Sequence, residues 1–158
     1  MSLEKLVQLG WYKAEPSSSK EIADLFSIVD RSQADSKVEG ISDDLRFQAS
    51  YNGILTLANI ALRASGFRVS LGQGHHQRVI ESLEHTLTTQ DATAREKWMR
   101  KIKSHSQKRN TTSYDLAGGV LPTDLAQVIK DLTVLREQVN AWLIEAHPEL
   151  LRGEPQQS

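Results

Sequence analysis

The stretch from Arg95 to Arg109 carries the strongest chemical signal in the chain. Seven of its residues are basic (Arg95, Lys97, Arg100, Lys101, Lys103, Lys108, Arg109) and one, Glu96, is acidic. The local charge is therefore +6, and because the whole chain sums to −1, the remainder carries −7. Such a patch attracts phosphate even on a nearly neutral protein. A solvated helix face is the plainer account of the same charges. A second signal is the pair His75 and His76 after Gly74. Adjacent histidines suggest a metal, but side chains at i and i+1 of a helix diverge, and a metal needs three or four converging ligands. Capping or a polar contact with the preceding loop is the expected role, with no metal bound. The chain has no Cys, which excludes disulfides, thiolate ligands and a thiol nucleophile. It also lacks HExxH, GxSxG and a Gly-rich phosphate loop after a strand.

The elements that position these residues read as helices. A short amphipathic piece, Leu3 to Tyr12, precedes Pro16 and a serine run. Ser18 with Glu21 has capping-box spacing, and Ile22, Leu25, Phe26 and Val29 then form one helical stripe. Gly40 marks a break, and Ser42, Asp43 and Asp44 open the next helix with acids at its positive end. That helix is apolar enough (Tyr51, Ile54, Leu55, Leu57, Ala58, Ile60, Ala61, Leu62) to be buried on more than one side, and Gly66 ends it. Tyr51 and Asn52 read as core and packing residues. A glycine-bearing loop leads to a helix with Val79, Ile80, Leu83 and Leu87 on one stripe. Thr93 with Glu96 is a second capping-box spacing and opens the basic helix around Trp98, Met99 and Ile102. Ser104 to Gly119 is polar and glycine-ended and reads as a loop or a broken helix. Pro122 and Thr123 open a last helix of about 35–40 Å, striped by Leu125, Val128, Ile129, Leu132, Leu135, Val139, Trp142 and Leu143 and stopped by Pro148. Trp98 and Trp142 read as core or dimer anchors. No sustained strand pattern is present.

The sum is an all-α protein, an up-and-down antiparallel bundle of four to five helices. Its 158 residues, 39% apolar and 25% charged, fit one globular domain. Residues 1–17 form a short helix and linker, residues 18–151 the bundle, and residues 152–158 a frayed tail. No apolar run is long enough for a membrane span and no secretion signal opens the chain, so the cytoplasm is the expected compartment and no membrane partner is expected.

Two segments together resemble the HEPN family, small α-helical proteins of prokaryotes often found beside a minimal nucleotidyltransferase. One is Phe47 to Leu83, with Ala49, Tyr51-Asn52, Leu57-Ala58 and Ala61-Leu62 followed by Gly66-Phe67-Arg68 and Gly74-His75. The other is Lys108 to Asp115, KRNTTSYD. The resemblance runs from about Ser18 to Leu151; each motif is short, and their order and spacing carry the match. It implies an HEPN-like bundle and a metal-independent ribonuclease chemistry without a cofactor, built on Arg, four to six residues, then His, often with Asn directly after the Arg. The Arg steadies the scissile phosphate and the His acts on the 2′-hydroxyl or the leaving oxygen. It further implies a homodimer and membership of a toxin–antitoxin pair, with a nucleotidyltransferase or antitoxin as partner.

Carried onto this sequence, Arg109 and Asn110 match the Arg-Asn of that motif, and the His position is Tyr114. A phenol titrates near 10 and is a poor general base at pH 7, although it can hydrogen-bond a phosphate or stack on a base. Arg100 and His105 also satisfy Arg-x4-His. Arg109 is preferred because Asn110 follows it and it precedes the last helix, and His105 is a candidate for the missing imidazole. The expected site is thus Arg109, Asn110, Tyr114 and His105, with Arg100, Lys101, Lys103 and Lys108 holding the backbone of RNA. The alternative is a non-catalytic HEPN bundle that dimerises and binds a nucleotide or a partner protein.

Overall fold

The structure, a computed structural model, describes residues 2–72, 74–114 and 119–152, with residues 111–114 described as backbone alone. Among the described residues the chain is mostly helical. Its order is α1 (Leu3–Gln8), β1 (Tyr12–Ala14), α2 (Ser19–Asp35), α3 (Asp43–Ala64), β2 (Phe67–Val69), α4 (His75–Glu81), α5 (Ala92–Tyr114) and α6 (Pro122–Ala146), with 3₁₀ turns at Ser82–Glu84 and Pro148–Leu150. No helix among the described residues is long and apolar enough to cross a membrane.

Local chemistry explains the helix starts. Ser18 accepts from the Glu21 N–H and Ser42 from the Leu45 N–H, each satisfying an orphan donor of the first turn. The Glu21 carboxylate does not close the expected box; it turns away to Ser17 and Arg63. At α5 the cap is Asp91, whose carboxylate accepts from the Ala94 N–H. The Thr93–Glu96 spacing is therefore not the cap, because an acid two residues before Thr93 reaches the free amides first. Gly66, at φ +91°, ends α3 in the left-handed conformation that glycine adopts without a Cβ clash.

α3 is the central helix. It buries Phe47, Tyr51, Ile54, Leu57, Ala58, Ile60, Ala61 and Leu62, as its all-round apolar pattern predicts. Asn52, read as a packing residue, is instead exposed. α2 runs antiparallel to α3, since Ser36 meets Arg46 at one end and Glu21 meets Arg63 at the other. α5 runs antiparallel to α6, with Trp98 on Gln138 and Lys108 on Asp124. α2, α3 and α6 approach closely at Gly53. A Cβ there would stand 2.8 Å from Leu132 Cδ1 and 3.1 Å from Ser32 Cβ. Gly53→Ala is expected to destabilise by about 1–2 kcal/mol in urea unfolding, because overpacking outweighs the gain in helix propensity.

The chain also contains a two-stranded antiparallel ribbon that the sequence reading lacked. Tyr12 pairs with Val69, Lys13 with Arg68 and Ala14 with Phe67. A ribbon this short is marginal alone, and Arg63 fixes it to the bundle. Its guanidinium is 2% exposed and donates to the carbonyls of Glu15, Pro16 and Phe67 and to the Glu21 carboxylate. Burial pushes the Glu21 carboxyl up, but hydrogen bonds from Ser17 and Arg63 and the charges of Arg63 and Arg68 more than reverse this, so it is held below its ordinary value.

Candidate functional site

α5 continues unbroken through Tyr114. The expected loop or break from Ser104 is therefore absent over 104–114: glycine comes only at 118–119, and no proline interrupts the polar run. One continuous helix decides which residues can act together. Arg100 and His105 lie five residues apart, so they sit on different sides of a helix with 3.6 residues per turn. Arg100 is exposed and His105 is buried. His105 and Arg109 lie four apart and share one face. That face meets α3: the His105 ring lies 5.9 Å edge-on from Phe47, and the Arg109 guanidinium lies 5.5 Å from the centre of the Tyr51 ring. Phe47 and Tyr51 are themselves four apart on α3.

His105 is held by a buried acid. Its Nε2 stands 2.7 Å from Asp131 Oδ2, while Lys101 Nζ and Gln127 Nε2 reach Asp131 Oδ1 at 3.2 and 2.9 Å. With the Nε2 proton directed at Asp131, Nδ1 is the nitrogen left for proton transfer. Burial pushes the Asp131 carboxyl up, and the hydrogen bonds from His105, Gln127 and Lys101 outweigh it, so the group is held below its ordinary value. A lowered carboxyl contributes stability that is present above its unfolded value, about 3.9, and is lost as pH falls toward the folded one. Asp131→Asn is expected to cost about 1–3 kcal/mol at pH 7 through unpaired donors, and to lose less than wild type on acidification, as read by circular dichroism across an acid titration. His105 lines a cavity of about 480 Å³ with Phe47, Lys108, Thr123, Asp124 and Gln127.

Arg109 sits differently. It is half-buried, and among the described residues its Nε has no hydrogen-bond partner. Its charge also reaches His76, whose imidazole is held below its ordinary value by burial first, then by His75, then by Arg109. The His75 and His76 rings touch, 4.2 Å apart and edge to face. They do not diverge as adjacent helical residues should, because His75 stands at the first position of α4 and its Nδ1 turns back to the Gly72 carbonyl. Among the described residues no three metal-ligating side chains converge.

No family model matches the chain, and no curated protein or solved structure matches it either. The functional reading therefore stands on these residues. The basic stretch is not one open face. Lys101 pairs with Asp131, Lys103 with Glu81 at 3.9 Å and Lys108 with Asp124 at 3.3 Å, while Arg100 and Asn110 are exposed. The Tyr114 side chain lies outside the described residues; its backbone ends α5. Residues missed in the sequence are Asp131 and Gln127, which hold His105. Asp131 was legible as an acid inside the apolar stripe Val128, Leu132, Leu135, a position where a charge needs a buried partner.

Proposed function

We propose that this chain is an HEPN-like helical protein that acts on RNA at Arg109, as a ribonuclease that needs no metal. The observation that carries the reading is the half-buried Arg109 guanidinium, held over the Tyr51 ring one helical turn from His105. A guanidinium placed beside an imidazole on one helix face binds phosphate oxygens through charge-assisted bonds. In the reaction the 2′-oxygen attacks phosphorus, a 2′,3′-cyclic phosphate forms, the P–O5′ bond breaks and the 5′-oxygen leaves with a proton taken from solvent. Arg109 stabilises the charge that develops on the phosphoryl oxygens. His105, one turn earlier on the same face, takes the 2′-hydroxyl proton through Nδ1, with Asp131 fixing its tautomer. This assigns to His105 the role that Tyr114, a weak base at neutral pH, cannot fill.

A second reading is favoured by a specific observation. His105 is buried on Asp131, and Lys101, Lys103 and Lys108 are ion-paired, an arrangement equally suited to a non-catalytic bundle. Such a protein dimerises and binds a nucleotide, a nucleotidyltransferase or an antitoxin. Incubating the purified protein with RNA in EDTA separates the two. Cleavage that is lost in His105→Asn supports the ribonuclease; RNA left intact by folded protein moves the assignment to the binding bundle.

A further inference from the structure

A groove of about 400 Å³ opens where the ribbon meets α2, α3 and α4, within the size range of small-molecule sites. It shares no lining residue with the cavity at His105. Leu25 from α2, Leu55 from α3, Val69 from β2 and Val79 from α4 give it apolar walls. Ile28 and Leu71 line the same groove and are 43% and 95% exposed. Apolar surface that is contiguous across four elements and open to water marks a binding surface rather than a scattered surface leucine.

The ionisable residues that line the groove, Lys13, Arg68, His75 and His76, are all of the basic kind, in a chain whose net charge is −1. They stand in two close pairs. Lys13 and Arg68 are directly opposite each other in the ribbon, so their side chains leave the same face at a separation where like charges destabilise. The His75 and His76 rings touch, 4.2 Å apart. Arg68 is partly offset by Glu15 and Glu21, neither of which lines the groove. An anion in the groove offsets the repulsion between Lys13 and Arg68 and gives the imidazole N–H groups an acceptor. We infer that the groove binds an amphipathic organic monoanion, a medium-chain carboxylate whose chain lies on Leu25, Leu55 and Val79 and whose head meets Lys13, Arg68 and the two histidines. A single negative charge is the match rather than a phosphate dianion, because Arg68 already serves two carboxylates and burial holds His76 toward its neutral form. The inference is independent of the RNA reading, since it uses neither Arg109 nor His105.

The test titrates the protein by calorimetry with octanoate, hexanoate and octan-1-ol, each below its micelle or solubility limit, and with melting curves for every variant. Wild type is expected to bind octanoate about tenfold tighter than hexanoate, the effect of two further buried methylenes, and about threefold or more tighter than the uncharged alcohol. Lys13→Glu is expected to weaken octanoate by about five- to tenfold, with one attraction lost and one repulsion gained. Its melting temperature is expected to be no lower than that of wild type, because it sets an acid opposite Arg68, so the loss is not one of fold. Leu71→Ser, at an almost fully exposed position, is expected to weaken octanoate and leave the fold intact. Octanoate bound no tighter than octan-1-ol, or bound equally by Lys13→Glu, overturns the anion site. Octanoate and hexanoate bound alike overturns the apolar seat for the chain. A folded wild type that takes up no octanoate overturns the inference as a whole.

Discussion

Arg63→Ala is expected to lower the unfolding free energy by about 3–5 kcal/mol, measured by urea denaturation at pH 7. The reason is the number of groups that one guanidinium satisfies. It donates to three backbone carbonyls from both sides of the ribbon and to the Glu21 carboxylate, and it is 2% exposed. Removing it leaves Glu21 facing a cavity with only Ser17 and Arg68 as partners. A domain of this kind holds about 5–15 kcal/mol in all, so the variant approaches the point of unfolding at physiological temperature. Arg63→Lys keeps the charge but replaces a fork of five donors with one ammonium, and is expected to recover less than half of the loss. A change under about 1 kcal/mol for Arg63→Ala, the value of an exposed ion pair, contradicts the role given to it.

Arg109→Ala is expected to act on function rather than on fold. Cleavage of RNA in EDTA is expected to fall by about 10²–10³-fold, the cost of removing one donor to transition-state charge. The melting temperature is expected to stay close to wild type. The Arg109 Nε has no partner among the described residues, and its contact with Tyr51 is a ring face, worth about 0.5–2 kcal/mol. Arg109→Lys restores charge without the planar fork and is expected to recover only part of the activity. A variant that cleaves as wild type while keeping its fold moves the phosphate contact off the Arg-Asn motif.

These two arginines also show what the sequence makes legible. Arg109 stands out because Asn110 follows it and the basic stretch surrounds it. Arg63 gives no such sign: it sits in the most apolar helix of the chain, and its partners come from residues 42 to 48 positions away and from backbone carbonyls that no pattern records. The helices were legible because 3.6-residue stripes and serine caps are local. The ribbon was not, since three-residue strands have no room to alternate and their pairing spans more than fifty residues. The polar run after Ser104 misleads for a related reason. Its low apolar content reads as loop, yet among the described residues helical geometry there is held by His105 and Arg109 against Phe47 and Tyr51 and by Lys108 on Asp124. The candidate site follows the same division. Its cation and its imidazole are in the sequence, whereas the Asp131 clamp on His105 arises from packing between helices.

The most direct measurement is the affinity of wild type and Arg109→Ala for one labelled RNA, titrated at several salt concentrations. A phosphate contact by Arg109 predicts weaker binding by about tenfold or more and a salt slope reduced by about 1. The exposed Arg100, changed to Ala in parallel, is expected to alter both far less. Equal affinity and equal slope for wild type and Arg109→Ala would contradict a phosphate at Arg109 and, with it, the assignment of this chain to RNA.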